Sequence, residues 1–192
     1  MIKVAFTGAQ GVGKTTILEA VQQRLTRDGH VALALPELIR ECPYPADRES
    51  TFNTQLWISA HTIMRETDLL ETAEFVLVDR PITDIAVYKE LVKANKGLTY
   101  HQDVLLTEII NSWKSTYQMF FHITVPIEEW RKRDIDDGFR STDEAVYRFL
   151  TEGFAKAAPE GHHHIENISL EESVETAYTK VKRLGDELLR KN

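Results

Sequence analysis

The feature that most constrains this chain is residues 8–15, which read Gly-Ala-Gln-Gly-Val-Gly-Lys-Thr and fit the pattern G-x-x-x-x-G-K-[ST]. The loop follows a short apolar run, Ile2 to Phe6, and leads into a helical pattern from Thr16 to Arg27. Strand, glycine loop and helix in that order form the context in which this pattern marks a phosphate-binding loop, whereas an ordinary glycine-rich turn does not require it. The chain therefore predicts a polyphosphate site at its first strand-to-helix turn.

Each part of this loop has a separate role in the predicted binding of ATP and Mg²⁺. The glycines let the backbone fold tightly and aim several N–H groups at one point, which the positive end of the following helix also faces. Lys14 would add a positive charge for the β- and γ-phosphates, and Thr15 a hydroxyl for Mg²⁺. The residues predicted to contact the nucleotide are Gly8, Ala9, Gln10, Gly11, Val12, Gly13, Lys14, Thr15 and Thr16.

The length and composition of the chain fit one globular domain that spans residues 1–192. No apolar run approaches the roughly 18 residues that are needed to span a bilayer. A secretion leader is not recognisable, and the one cysteine, Cys42, cannot build a disulfide framework. We therefore expect a cytoplasmic protein without a membrane partner.

The formal net charge of −7 argues against a general nucleic-acid binder, which needs a basic surface. It is compatible with a small phosphorylated ligand, because a few well-placed cations are enough to bind one. The predicted partner is a small-molecule nucleoside or nucleotide that accepts a phosphoryl group, rather than a nucleic acid. A homodimer is the assembly that we consider.

Short apolar runs alternate with longer amphipathic stretches along the chain. This alternation predicts an α/β fold in three layers, with a parallel sheet between two layers of helices. The predicted strands are 2–6, 31–35, 75–78, 119–125 and 163–168. The predicted helices are 15–28, 48–72, 83–94, 101–117, 128–137, 142–157 and 171–189.

Polar residues that follow the predicted strands should meet at one edge of the sheet, because ligands of such sheets bind beyond the carboxyl ends of the strands. Asp79 and Arg80 follow the third strand, and Glu37 and Arg40 follow the second. Two carboxylates and two arginines beside a triphosphate loop are typical of a phosphoryl-transfer site. The alternative roles are structural. Asp79 would cap a helix, and Arg80 would form an ion pair with Asp84, four residues further along the chain. Glu37 and Arg40 would be solvated.

Each of these side chains has a predicted role in the transfer. Asp79 would hold Mg²⁺ together with Thr15, directly or through water, or would accept a proton from an attacking hydroxyl. Arg80 would clamp a substrate phosphate, with Arg40 beside it. Glu37 would contact the acceptor hydroxyl or a metal-bound water.

Two further groups of polar residues receive other interpretations. Gln55 and Glu66 lie on the long second helix and would line an acceptor pocket, but surface exposure is the favoured interpretation of both. The run His162 to His164 does not predict a metal site, because adjacent residues in a strand point to opposite faces of the sheet.

A second source of cations is a predicted lid at about residues 127–143. An arginine that a closing lid delivers can stabilise the negative charge that builds on the transferred group. Lys132 and Arg133 each lie four residues after a glutamate and so have a helical ion-pair partner, whereas Arg131 has none at that spacing. Arg140 follows a glycine that can act as a hinge. We therefore predict Arg131 and Arg140 as catalytic residues, with Arg133 as the second choice.

Several segments resemble known families. Residues 78–88, which read VDRPITDIAVY, are similar to the "DR…D…AY" signature of small AAA-type ATPase and kinase domains related to the nicotinamide riboside kinase domain. Residues 35–41 resemble the "PE…R" segment of that group, and residues 137–140 resemble its "DG-R" lid segment. The glycine loop resembles that of the P-loop kinases at large. These matches lie within about residues 2–150.

The resemblance implies a five-stranded parallel sheet in the order 2-3-1-4-5, with a helical lid between strands four and five. It also implies transfer of a γ-phosphoryl group to a nucleoside or nucleotide. Asp84, the second aspartate of the signature, completes a predicted substrate-binding set with Glu37, Arg40 and Arg80. The Asp79-Arg80 pair is also similar to thymidylate kinases, which usually have an aromatic residue where this chain has Pro81.

The leading hypothesis is an ATP- and Mg²⁺-dependent kinase for a nucleoside or a (deoxy)nucleoside monophosphate, with Lys14, Asp79, Arg131 and Arg140 as catalytic residues. One alternative is a nucleotide-hydrolysing switch that signals to a partner, although the sequence has no N-K-x-D motif for guanine. Another is a polynucleotide 5′-kinase, which the acidic balance disfavours.

Overall fold

Five parallel strands form the centre of the chain, which the computed structural model describes at residues 1–46, 49–69, 72–133 and 143–189. Their spatial order is β2-β3-β1-β4-β5, and the predicted sheet order is therefore confirmed. The strands are β1 (Ile2–Thr7), β2 (Ala32–Leu35), β3 (Phe75–Asp79), β4 (Met119–Thr124) and β5 (His163–Glu166).

Helices connect these strands and cover both faces of the sheet. The helices are α1 (Lys14–Arg27), α2 (Phe52–Asp68), α3 (Asp84–Asn95), α4 (Tyr100–Lys114), α5 (Ile127–Lys132), α6 (Glu144–Ala157) and α7 (Leu170–Leu189). A short 3-10 helix, Leu38–Glu41, follows β2. Within the described ranges, each helix is too short or too polar to cross a membrane.

The central strand β1 is buried along its whole length, and its side chains alternate between two cores. Val4 and Phe6 pack into the core that α1 and α7 cover, whereas Ala5 packs into the core that α2, α3 and α4 cover. The register pairs Phe6 with Asp79 of β3 and Thr7 with His122 of β4. The carboxyl ends of the three strands therefore lie side by side, which is where the chain places its polar residues.

Helix α2 begins later than its apolar pattern predicts. The Thr51 hydroxyl accepts a hydrogen bond from the Thr54 N–H at 3.4 Å, and the Thr51 N–H donates to the Thr54 hydroxyl at 3.0 Å. This reciprocal capping box satisfies the first amides of a helix that starts at Phe52. The prediction that this helix begins at residue 48 is wrong. The amphipathic spacing extends into the preceding segment, but the cap at Thr51 makes Phe52 the first helical residue.

A buried ion pair lies between β1 and α2 and corrects the prediction that Glu66 is exposed. The Lys3 ammonium is 2.8 Å from Glu66 Oε2, and both side chains are buried. Tyr117 donates its hydroxyl to Glu66 Oε1 at 2.5 Å, and Trp113 donates its indole N–H to Oε2 at 2.7 Å. Burial, followed by the charge of Glu66, raises the pKa of Tyr117, so the phenol stays protonated and continues to donate. Glu66 is thus a structural residue.

We expect Glu66→Gln to lower the free energy of unfolding by about 3–5 kcal/mol, because it leaves the Lys3 ammonium buried without an anion. Glu187→Gln is the control: Glu187 is exposed and 3.7 Å from Arg183 in an ion pair, and its loss should cost under about 0.5 kcal/mol. Denaturant unfolding of the two variants measures the difference. Equal stabilities would contradict a structural role for the pair.

Candidate functional site

The turn after β1 has the backbone of a phosphate-binding loop. The φ angles of Gly8, Gly11 and Gly13 are 144°, 75° and 91°. Residues other than glycine rarely adopt such positive φ angles. A Cβ atom at Gly8 would also lie 2.2 Å from the Ile123 carbonyl oxygen. Gly13 is the N-cap of α1, so the loop leads directly into the positive end of that helix. The sequence motif therefore has the geometry that anion binding requires.

Side chains from distant parts of the chain hold the carbonyl oxygens of this loop. Trp130 donates its indole N–H to the Gln10 oxygen at 3.0 Å, and Arg133 donates to the Gly11 oxygen at 2.9 Å. Asn167 donates its amide to the Val12 oxygen at 2.8 Å. We name these three side chains the loop clamp. Because the clamp fixes successive peptide planes, it sets the direction in which the loop N–H groups point.

Lys14 lies beside the same loop, and its ammonium donates to the Ala9 carbonyl oxygen at 2.9 Å. The side chain is buried. Burial lowers the pKa of Lys14, the Arg80 guanidinium lowers it further, and nearby carboxylates only partly oppose them. A polyphosphate would bring negative charge to this ammonium and stabilise its protonated form.

Thr15 and Asp79 meet where β1 and β3 end. The Thr15 hydroxyl donates to Asp79 Oδ2 at 2.5 Å, and Asp79 Oδ1 is buried without a hydrogen-bond partner among the described residues. One hydroxyl and one unsatisfied carboxylate oxygen fit Mg²⁺, which usually takes one or two protein ligands, phosphate oxygens and water. The described part of the chain contains no group of three or more His, Cys, Asp or Glu side chains that could hold a metal ion by themselves.

Next to this pair, a cavity opens between the loop, β2, α2 and α3; we name it the acceptor cavity, after the role predicted for it. Its lining includes Gln10, so the cavity adjoins the phosphate-binding loop. The predicted substrate and metal residues that line it are Glu37, Arg40, Asp79, Arg80 and Asp84. The structure thus brings together side chains that the sequence places after two different strands.

Arg80 lines this cavity, and its backbone adopts an unusual conformation. Its φ angle is 65°, a left-handed value that costs a residue other than glycine about 1–3 kcal/mol. The guanidinium pairs with Glu37 through Nε, and its Nη1 is 3.4 Å from the Gly8 oxygen and 3.6 Å from Asp84 Oδ2. Arg80 therefore lines the cavity and lies near Asp84, but its side chain is only 11% exposed rather than on the surface, and its binding of a substrate phosphate stays a prediction.

Asp84, the first residue of α3, also lines the cavity. Thr7 of β1 donates its hydroxyl to Asp84 Oδ1 at 2.5 Å. Burial raises the pKa of Asp84, although the Arg80 guanidinium and the Thr7 hydrogen bond oppose that effect. Thr7 was not predicted as a site residue, and its only sequence signal is a hydroxyl at the end of an apolar strand.

Gln55 corrects a second prediction from the sequence. Its side chain is only 1% exposed, whereas surface exposure was the favoured interpretation. It lines the acceptor cavity, and its Oε1 atom has no hydrogen-bond partner in the part of the chain that the structure describes. Glu66, predicted with it, lies outside the cavity lining and belongs to the network around Lys3.

The predicted lid arginines have different surroundings. Arg131 was selected because it lacks a helical partner, but its guanidinium pairs with Glu144 of α6, and its side chain is 54% exposed. Arg133 was expected to pair with Glu129, which instead binds Lys132 at 2.6 Å. Arg133 belongs to the loop clamp and therefore lies nearer the phosphate-binding loop than Arg131 does. The roles of both arginines stay predictions, and Arg140 lies outside the described residues.

Comparisons with known proteins agree with this architecture. A family model described as an AAA domain matches residues 3–176. The chain is 26% identical to a thymidylate kinase of Bacillus licheniformis, with 98% of this chain and 97% of that protein covered.

Solved structures of low sequence identity have the same fold. Deoxyadenosine kinase from M. mycoides with bound dCTP has a TM-score of 0.69 at 15% identity, and the match covers 95% of this chain and 100% of that one. Thymidylate kinase from Candida albicans has a TM-score of 0.69 at 15% identity, and the match covers 95% of this chain and 91% of that one. The predicted three-layer α/β fold of P-loop kinases is confirmed.

The loop clamp can be tested through nucleotide affinity. We expect Trp130→Phe to weaken binding of ATP with Mg²⁺ by about tenfold, because the Gln10 carbonyl loses its buried donor and the loop its fixed geometry. Trp113→Phe is the matched control, since it also removes an indole hydrogen bond, to Glu66. Titration calorimetry compares the two, and equal affinities would contradict the clamp.

Proposed function

The chain belongs to the AAA domain family, within the P-loop nucleotide kinase superfamily, and we propose that it transfers the γ-phosphoryl group of ATP, with Mg²⁺, to a small acceptor. The acceptor is a nucleoside or a nucleoside monophosphate bound in the acceptor cavity. The related thymidylate kinase and the similar kinase structures support this class of acceptor, and the cavity supports a small molecule rather than a polymer.

The donor half of the proposed site is the phosphate-binding loop. Residues 8–16 bind the phosphates of ATP through backbone N–H groups, and the Lys14 ammonium contacts the β- and γ-phosphates. Thr15 and Asp79 hold Mg²⁺, and the unsatisfied Asp79 Oδ1 supports this assignment. When bound, the ion would offset the negative charge of the phosphate oxygens.

One contact carries the proposal: the hydrogen bond of 2.5 Å between the Thr15 hydroxyl and Asp79. Thr15 belongs to the donor loop, whereas Asp79 also lines the acceptor cavity. A single buried carboxylate therefore adjoins both substrates. A cavity that only bound a ligand would not need to share a carboxylate with a triphosphate loop.

The side chains around the cavity would each act on the acceptor. The acceptor oxygen forms a bond to the γ-phosphorus while the bond from that phosphorus to the β–γ bridging oxygen breaks, and its electron pair leaves with ADP. A hydroxyl acceptor gives its proton to Asp79 or Glu37. A phosphate acceptor would need little base, and Arg80 with Arg40 would hold it.

Cations near the predicted lid would stabilise the transferred group. We propose Arg131 and Arg140 for this role, as the resemblance and the spacing predict. Arg131 would have to leave its ion pair with Glu144, which is exposed and therefore weak. Arg133, in the loop clamp, is the other candidate.

Replacing the loop lysine tests the donor site. We expect Lys14→Ala to lower ATP-dependent acceptor phosphorylation by at least about 10²-fold, because the variant lacks the ammonium group that would stabilise the transferred phosphate. The circular dichroism spectrum should stay native. Lys156→Ala, at an exposed position of α6, should keep full activity. Wild-type turnover by Lys14→Ala would refute the assignment of the donor site.

Asp79→Asn tests whether this carboxylate takes part in the chemistry. We expect a fall of at least about 10²-fold in kcat, because the variant loses a metal ligand and a proton acceptor. A change under about tenfold, which corresponds to about 1.4 kcal/mol, would leave Asp79 with only a structural role as the partner of Thr15. A wild-type protein that hydrolyses ATP without stimulation by any nucleoside or nucleotide would instead support the regulatory switch.

A further inference from the structure

We infer that the Tyr117 hydroxyl positions the turn between β3 and α3 and thereby holds Arg80 and Asp84 in their places beside the acceptor cavity. The inference rests on the proposed phosphotransferase function, and it assigns a positioning role to a residue outside the cavity lining. It follows from a buried hydrogen bond that joins this turn to the ion pair between Lys3 and Glu66.

The turn is tied to the rest of the fold through two backbone N–H groups. The Arg80 N–H donates to the Phe6 oxygen at 3.1 Å, which continues the pairing of β3 with β1. The Ile82 N–H donates to the Tyr117 hydroxyl oxygen at 3.2 Å, and both residues are buried. Pro81, between them, has no N–H, and its ring fixes its φ angle at about −65°. The position of Ile82 therefore constrains the backbone of Arg80.

Arg80 depends on such a constraint because its backbone is strained. A φ angle of 65° is unfavourable for a residue other than glycine and persists only where the surrounding structure determines it. The contact with Phe6 fixes the chain at the strained residue, and the contact with Tyr117 fixes it two residues later. Without the second contact, Ile82 would be free to shift, and the Arg80 backbone could relax and turn its side chain relative to the cavity.

The turn and the start of α3 form one wall of the acceptor cavity. The lining residues of this wall are Arg80, Pro81, Asp84, Ile85 and Tyr88. Asp84 Oδ2 is 3.6 Å from Arg80 Nη1, and the Tyr88 ring centroid is 5.6 Å from Arg80 Cζ. Because Ile82 lies two residues before the first residue of α3, a shift of the turn would move Arg80 and both partners together.

The buried ion pair determines which way the Tyr117 hydroxyl points. A phenol has a single O–H, and Tyr117 donates it to Glu66 Oε1 at 2.5 Å. The oxygen lone pairs are then left to accept from the Ile82 N–H. Lys3 and Trp113 hold the other oxygen of the carboxylate, at 2.8 and 2.7 Å, so Glu66 is itself fixed. A chain of buried hydrogen bonds thus connects the turn to β1, α2 and α4.

A purely stabilising role would not require this network to be polar. Replacing a buried ion pair by apolar residues of similar volume is often neutral or stabilising. An apolar side chain in place of Tyr117 could not accept the hydrogen bond of Ile82, and a buried N–H without a partner is destabilising. The network therefore supplies an acceptor at the point where the turn needs one.

The donor side of the proposed site should not depend on Tyr117. The loop clamp holds the phosphate-binding loop through side chains of α5, Arg133 and Asn167. Asp79 lies before the turn, in the part of β3 that is paired with β1. We therefore expect loss of the Tyr117 hydroxyl to act on the acceptor and to leave the binding of ATP and Mg²⁺ unchanged.

The first experiment compares Tyr117→Phe with Trp113→Phe, which removes a hydrogen bond to the same carboxylate but leaves the Ile82 contact intact. The acceptor is whichever member of a panel of nucleosides and their 5′-monophosphates the wild type phosphorylates with the highest kcat/KM. We expect kcat/KM for this acceptor to fall at least about tenfold in Tyr117→Phe, mainly through a higher acceptor KM, and to stay within about threefold in Trp113→Phe. The Kd of ATP with Mg²⁺, measured by calorimetry, should stay within about threefold in both.

Both variants are assayed at a temperature at which thermal unfolding shows them to be folded. Wild-type kcat/KM in Tyr117→Phe, an equal fall in the two variants, or a matching loss of ATP affinity would overturn the inference and leave the proposed function intact. A wild type that phosphorylates no member of the panel would instead refute the proposed function, and the second experiment would still test the position of the turn.

The second experiment measures amide hydrogen exchange by NMR and needs no activity. In the wild type, the Ile82 N–H should exchange as slowly as the amides of β3, because its acceptor is buried. In Tyr117→Phe, its exchange relative to the β3 amides of the same variant should rise at least about tenfold, whereas Trp113→Phe should leave this ratio unchanged. Fast exchange of Ile82 in the wild type, or an unchanged ratio in Tyr117→Phe, would contradict the inference.

Discussion

The hydrogen bond between the Thr15 hydroxyl and the Asp79 carboxylate is the contact on which the rest of the site depends. The two residues are 64 positions apart, and they meet because β1 and β3 are adjacent, parallel and in a register that pairs Phe6 with Asp79. Parallel strands end at the same edge of a sheet, so the loop after one and the turn after the other face each other. The proposed donor and acceptor sites therefore share one buried carboxylate.

Around this contact, the fold fixes both halves of the site by different means. On the donor side, the loop clamp holds successive carbonyl oxygens of the glycine loop, which is a form of preorganisation. On the acceptor side, Arg80 has a left-handed backbone and its guanidinium pairs with Glu37. The backbone strain at Arg80 is tolerated because the ion pairs and the Gly8 oxygen hold the side chain in place.

Local patterns predicted the parts of the site that are continuous in sequence, whereas contacts across the fold were missed. The glycine loop, Asp79, Arg80 and Glu37 follow strands directly, so strand order alone brings them together. Helical spacing could not find the partners of Arg133, because its contacts come from residues 122 and 34 positions away. Nor could it show that Gln55 is buried, since that depends on which surface α2 meets. The start of α2 was missed because a threonine cap, not apolar spacing, sets it.

The loop clamp has a consequence for the order in which the protein becomes competent during synthesis. The glycine loop leaves the ribosome first, but its supports at Trp130, Arg133 and Asn167 are 120 to 155 residues further along the chain. Such long-range contacts form late in folding. An incomplete nascent chain therefore carries the motif without the frame that shapes it. We therefore expect the loop to reach its nucleotide-binding geometry only after the chain has been synthesised through Asn167.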